Sequence, residues 1–177
     1  MRDSFIFFCG EHLEDAIGVE VGVYKGENAR DMLKYKNNLK LCLVDDFARL
    51  SDSDAPGYRL LNNEERDLLM RDMINNIAPV KERAVIYFKS SMDALKDFPD
   101  ECFDYVYIDA DHSARTVRED CLGWYPKVKK GGILAGHDYM KESVRDSVHS
   151  FIRENNIGED KLQLSLQNGQ SDWWFIK

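Results

Sequence analysis

The stretch AIGVEVGVYKGENARDML, residues 16–33, limits what this chain can fold into more than any other. An apolar run from Ile17 to Val21 breaks at Gly22. The chain passes Gly26, and a helical pattern then sets Ala29, Met32 and Leu33 on one face. An apolar strand that hands over to a helix through glycines is the unit from which parallel sheets are built, since the helix carries the chain back for the next strand. Gly22 permits a tight turn and a close approach to the backbone. The helix start beyond Gly26 presents unpaired N–H groups. The spacing is E-x-G-x-x-x-G, with Glu20 two residues before the first glycine, and differs from the G-x-G-x-x-G of dinucleotide sites. A carboxylate at that crevice would repel a pyrophosphate. It suits a cofactor that carries a cation and hydroxyls, such as S-adenosyl-L-methionine. Glycines kept only for packing are the alternative.

The same alternation continues along the chain. Strands are expected at 17–23, 39–44, 84–88, 103–108 and 133–135, and helices at 27–36, 64–77, 91–96, 114–128 and 143–155. Asn63 is the expected cap of the second helix, and the Ser-, Asp-, Pro- and Gly-rich residues 47–60 are expected to form a loop. Runs at 161–166 and 173–176 lie too close together for a crossover helix, so they should pair as a hairpin around Asn168-Gly169. The prediction is an α/β, Rossmann-like, doubly wound sheet, mostly parallel with an antiparallel last strand, in a single domain over 1–177 behind a short extension, 1–15. In such sheets ligands sit beyond the carboxyl ends of the strands, near the point where strand order reverses.

Four expected strands deliver an acid to that rim: Glu20, Asp45, Asp109 and Asp138. Asp45 lies 25 residues after Glu20, near the offset at which a carboxylate meets a ribose diol, and a carboxylate can accept both hydroxyl protons. A solvated acid at a loop start is the other reading. Ser91 either caps the helix after it or also touches an adenine edge, and Met92 either stacks on that base or packs in the core. His112 follows Asp109-Ala110-Asp111. As the side chain that ordinarily exchanges protons near neutral pH, it is the candidate general base, or else a helix cap. Asp109 and Asp138 end neighbouring strands and could share a divalent cation, Mg²⁺ with water or a transition metal if an imidazole joins. They could also stay apart in solvent. His12 and His149 are expected at the surface. Tyr24 and Tyr139 could line the pocket, and Trp173-Trp174 should place one indole inward and one outward.

A net charge of −8 argues against a nucleic-acid backbone as partner. The cluster Lys127, Lys129 and Lys130 reads as a helix-end cap. Cys9, Cys42, Cys102 and Cys121 form no C-x-x-C pair and read as reduced thiols in a cytoplasmic protein. No apolar stretch reaches membrane-spanning length, and the first residues lack the features of a signal peptide.

With these residues placed, the chain resembles the class I S-adenosylmethionine-dependent methyltransferases. More narrowly, it resembles the small O-methyltransferase branch related to the catechol, caffeoyl-coenzyme A and macrocin enzymes. The resemblance spans about residues 16–177 and is most specific over FDYVYIDADHSARTVREDCLGWYPKVKKGGILAGHDY, residues 103–139, and in the terminal DWWFIK. It implies a seven-stranded sheet with the last strand inserted antiparallel. It implies that Glu20, Gly22 and Gly26 form the cofactor turn, that Asp45 holds the ribose, and that Ser91 lies at the adenine. Positions matching Asp109 and Asp138 bind Mg²⁺ in metal-dependent members, where an asparagine usually follows the second acid. Here Tyr139 follows, so His137 or a water has to substitute. His112 stands where those members carry a catalytic lysine. Larger relatives cover the acceptor with N-terminal helices. Here the cover would come from residues 47–63, from the segment after Tyr139, or from the partner in a homodimer. The expected activity is methyl transfer to a small-molecule or sugar hydroxyl. N-methyl transfer and a non-catalytic cofactor-binding module are the alternatives, and a nicotinamide-dependent oxidoreductase is disfavoured by the missing glycine fingerprint.

Overall fold

The computed structural model describes residues 15–51, 58–166 and 171–177. Cys9, His12, the extension 1–14 and the Asn168-Gly169 turn lie outside the described residues. In chain order the elements are β1 (Ile17–Val21), α1 (Glu27–Tyr35), β2 (Lys40–Val44), β3 (Arg49–Ser51), β4 (Tyr58–Leu60) and α2 (Asn63–Ile77). There follow β5 (Ala84–Tyr87), α3 (Ser91–Ala94), β6 (Phe103–Ile108), α4 (Ala114–Trp124), β7 (Val128–Gly136), α5 (Glu142–Glu154), β8 (Gln163–Ser165) and β9 (Asp172–Ile176).

Seven strands form one sheet in the order β5-β2-β1-β6-β7-β9-β8. The pairs from β5 to β7 are parallel, whereas β9 runs antiparallel to both β7 and β8. The sheet is the expected mostly parallel, doubly wound arrangement. The chain builds outward from β1 through β2 to β5, then returns to lay β6 on the other side of β1. The crevice between the ends of β1 and β6 is therefore the switch point.

Alternation along each strand feeds two cores. Tyr105 and Tyr107 of β6 join Leu33, Leu41 and Met73 on one face, while Val106 and Ile108 join Trp124 and Phe151 on the other. Both indoles of β9 are buried, Trp174 in the first core and Trp173 in the second. The expectation of one outward indole fails because each face of the sheet carries its own core, and alternation along β9 sends one indole into each.

Several boundaries differ from expectation for local reasons. β1 stops at Val21, since Gly22 at φ 86° turns the chain. The cap of α2 is Asn62, whose side chain accepts from the Glu65 N–H while the Glu65 carboxylate accepts from the Asn62 N–H. Residues 47–60, expected to be a loop, contain the antiparallel β3–β4 pair. Helix α4 ends at Trp124 because Pro126 starts a 3₁₀ turn, and β7 then runs through Gly131 and Gly132 with a register shift opposite Phe103–Tyr105.

Candidate cofactor and acceptor site

A cavity of about 510 Å³ opens at the switch point, and Glu20, Asp45, Ser91, Asp109, His112 and Asp138 all line it. Every rim residue singled out in the sequence is brought to this one place. Gly22 and Gly26 stand at its β1–α1 edge, although the atoms that demand glycine there belong to the protein. A Cβ on Gly22 would lie 2.2 Å from the Asp109 carbonyl oxygen. Gly26, at φ 72°, is the backbone cap of α1, and a Cβ there would press on Ile77 and Met73 of α2. The glycines thus close strand end on strand end and helix on helix, and that packing shapes the crevice. Tyr24, between them, holds φ 50° and lines the cavity.

At the β1–β2 end of the cavity the acids are buried or half-buried. Glu20 is 2% exposed, and its Oε1 accepts from Asn28 Nδ2 at 3.1 Å. Asp45 accepts three backbone N–H groups: Val23 at 2.8 Å and Tyr24 at 3.0 Å on Oδ2, and Phe47 at 2.7 Å on Oδ1. It ties the β1–α1 turn to the end of β2, a role the spacing did not reveal. Burial pushes the Asp45 carboxyl up, against those three N–H donors.

Ser90, not Ser91, caps α3. The Ser91 hydroxyl instead donates to Asp120 Oδ1 and accepts from Trp124 Nε1 at 2.8 Å. Asp120 is fully buried and lines the cavity, and its Oδ2 has no hydrogen-bond partner among the described residues. Burial pushes its carboxyl up to about 7, with the Ser91 hydrogen bond opposing. Sequence reasoning missed Asp120. The signal was present in Val117, Asp120, Cys121 and Trp124, a helical stripe that places one acid among apolar residues.

At the β6–β7 end of the cavity the acids meet charge-bearing partners. His112 Nε2 lies 2.6 Å from Asp138 Oδ2, and Lys141 Nζ lies 2.8 Å from His112 Nδ1 and 3.3 Å from Asp138 Oδ2. An ammonium can only donate, so Nδ1 accepts and Nε2–H donates to Asp138. His112 is not a helix cap. Ser113 caps α4, and Ser143 Oγ donates to the His112 carbonyl at 2.7 Å. Burial raises the Asp138 carboxyl, but hydrogen bonds from His112 and His137 outweigh it and hold the group far below the usual carboxylate range. Asp138 sits at φ 59°, a strained backbone of the kind that collects at functional sites. Lys141 was also missed, although it stands only three residues past Asp138, across a turn closed by its N–H on the Asp138 carbonyl at 2.9 Å.

Asp109, His137 and Asp138 offer ligand atoms that all lie within 4.8 Å of one another. Tyr139 does not join them. It is buried, and its hydroxyl meets His149 Nε2 at 2.8 Å. His149 is therefore partnered by Tyr139 rather than simply a surface residue. Of the two tyrosines expected at the cavity, only Tyr24 lines it, and Met92 does not. Among the described lining residues, eight carboxylates face three permanent cations. That balance disfavours a pyrophosphate and favours a cationic or hydroxylated ligand. Among the described residues no helix is long and apolar enough to cross a membrane, and Cys42, Cys102 and Cys121 are free.

A family model described as a methyltransferase domain matches residues 19–139. No curated protein matches the chain in sequence. Among solved structures, the O-methyltransferase NovP is 18% identical, with a TM-score of 0.70 over 99% of this chain and 79% of that one. An O-methyltransferase from Bacillus cereus in complex with SAH is 12% identical, with a TM-score of 0.67 over 99% and 80%. A putative caffeoyl-CoA O-methyltransferase from Staphylococcus aureus is 12% identical, with a TM-score of 0.61 over 99% and 82%. At these identities the likeness establishes the fold.

Proposed function

The chain belongs to the methyltransferase-domain family, as an enzyme of the S-adenosylmethionine-dependent class, and from that premise we propose that it methylates an oxygen of a small hydroxylated acceptor with His112 as general base. The observation that carries this reading is the His112–Asp138 pair at the cavity wall. Asp138 accepts a hydrogen bond from Nε2–H, which fixes the tautomer and leaves Nδ1 as the basic atom. It also stabilises the imidazolium that forms once Nδ1 has gained a proton. An acceptor hydroxyl that takes the place of Lys141 at Nδ1 gives its proton to that nitrogen as its oxygen is alkylated. Bound S-adenosyl-L-methionine supplies the electrophilic methyl group.

At the other end, Glu20, the Gly22–Gly26 turn and Asp45 hold the cofactor in this reading, with Asp45 facing the ribose and Ser91 the adenine. The excess of acids over cations supports a sulfonium nucleoside. Holding donor and acceptor in one cavity supplies much of the rate enhancement through proximity.

The donor set also fits a divalent cation, which Asp109, His137 and Asp138 would hold. Two carboxylates and an imidazole suit a transition metal better than Mg²⁺, and such an ion would lower the acceptor hydroxyl's pKa.

The test is labelled-methyl transfer to a panel of catechols, phenols, sugars and matched amines, with and without chelator. Turnover on hydroxyl acceptors is expected. His112→Ala should lower it by about 10²–10⁴-fold while S-adenosylhomocysteine affinity changes by less than about 3-fold. Methylation confined to amines would replace the reading with N-methyl transfer. Undiminished turnover in His112→Ala would remove the proposed base.

A further inference from the structure

We infer that the Lys141 ammonium is a built-in competitor for the divalent-cation position at Asp138, so that cation binding and the Lys141 cover over His112 Nδ1 exclude one another. This rests on the reading that Asp109, His137 and Asp138 hold a divalent cation. Lys141 is not itself one of those ligands, nor does it line the cavity.

Three side chains meet at one oxygen. Asp138 Oδ2 lies 2.6 Å from His112 Nε2, 3.3 Å from Lys141 Nζ and 3.5 Å from His137 Nδ1. His137 Nδ1 in turn lies 3.7 Å from Asp109 Oδ1. The Asp138 oxygen that faces the other two candidate ligands is therefore the one that Lys141 already uses. The N–H of a neutral His112 occupies one lone pair of that oxygen and leaves another. The ammonium is different, because its charge opposes any ion drawn to the same atom. Two cations a few ångströms apart at one carboxylate repel each other strongly where water is partly excluded.

The helix does not call for a lysine at this place. Lys141 is the N-terminal boundary residue of α5, and its side chain makes no cap hydrogen bond there. A cation at a helix N-terminus opposes the dipole. What holds the ammonium is the pair of contacts to Asp138 Oδ2 at 3.3 Å and His112 Nδ1 at 2.8 Å. The side chain is 45% exposed, so water is at hand for the ammonium to move into. One ammonium spans both contacts. Lys141 therefore cannot yield Asp138 to another cation without also uncovering Nδ1, the atom proposed to take the acceptor proton. Coupling of this kind is reciprocal, so weakening the hold of Lys141 must tighten the ion.

The experiment is calorimetric titration of the full chain with Co²⁺, since two carboxylates and an imidazole suit a transition metal. Lys141→Met keeps the aliphatic stem and removes the charge, and it should bind Co²⁺ more tightly than wild type by about 10-fold or more. Lys141→Arg keeps the charge and should stay within about 3-fold of wild type. In the double variant Lys141→Met, Asp138→Asn the gain should disappear. A purely structural role for Lys141 would lower the melting temperature and leave Co²⁺ affinity unchanged. Equal affinities of wild type and Lys141→Met overturn the inference, as does an equal gain in Lys141→Arg or a gain that survives the loss of the Asp138 carboxylate. If Lys141→Met does not fold, Lys141→Gln takes its place under the same criteria. Failure of both wild type and Lys141→Met to bind Co²⁺ removes the metal reading, and this inference with it. Equal binding removes the inference alone.

Discussion

The two ends of the cavity are made of the same residue types and behave oppositely. At the proposed cofactor end the acids are buried or half-buried and answered by backbone N–H groups or neutral side chains: Asp45 by Val23, Tyr24 and Phe47, Glu20 by Asn28, and Asp120 by Ser91. At the acceptor end Asp138 is answered by charge-bearing side chains, His112, His137 and Lys141. The consequence is a reversal of sign. Burial raises the carboxyls of Asp45 and Asp120, whereas histidine hydrogen bonds hold Asp138 low. A pocket wall that only binds a nucleoside can be rigid and backbone-tied. A wall that moves a proton needs groups whose charge can change.

The largest effect expected to separate the two ends is that of His112→Ala, a loss of turnover with cofactor affinity retained. If affinity falls in parallel, the two ends are not independent.

Gly22→Ala should act on both ends through the fold. A Cβ there meets the Asp109 carbonyl at 2.2 Å on a backbone at φ 86°. A loss of about 2–4 kcal/mol in denaturant unfolding is expected. A variant as stable as wild type would mean that the strand ends can separate freely.

Asp45→Asn sharpens the cofactor end. Removing a carboxylate from three N–H donors should cost about 1–3 kcal/mol of stability and weaken S-adenosylhomocysteine binding in the same variant. Weakened binding at full stability would make Asp45 a nucleoside contact and not the holder of the turn.

The smallest effect is in the pH dependence of melting, and its sign differs between the ends. Asp120 carries its proton to about pH 7 in the folded chain, while an unfolded aspartate loses it near 4. The fold therefore binds the extra proton, and this group's contribution declines as pH rises from about 4 to 7. Asp138 is depressed in the fold, so its contribution is present above about 4 and is lost as pH falls below that. Asp120→Asn should flatten the melting curve between pH 4 and 7, and Asp138→Asn should flatten it below 4. Melting temperatures of the two variants and wild type across pH 3–8 check both slopes. Identical slopes in all three would erase the distinction.

Much of this site could be read before any fold was known, because strand ends in a parallel sheet converge on one rim. Glu20, Asp45, Ser91, Asp109, His112 and Asp138 do line one cavity. The two residues that were missed, Asp120 and Lys141, lie on or beside helices. Their relevance depends on where those helices dock, which alternation along a strand does not report. The same limit explains Ser91, whose neighbour Ser90 supplies the cap, and Tyr139, which turns away to His149.

The sequence by itself determined the alternation of the seven-stranded sheet's strands with helices, the doubly wound class, the rim on which the acids gather and the glycine turn between β1 and α1, though not the β3–β4 pair. These follow from hydrophobic periodicity and backbone freedom, which are local. Only the tertiary structure decided which partner each acid meets, which tautomer His112 adopts, and why Gly22 must be glycine. Those depend on atoms brought within a few ångströms from strands far apart in the chain. Whether a buried carboxylate is raised or lowered is set by that company, and no spacing along a single chain encodes it.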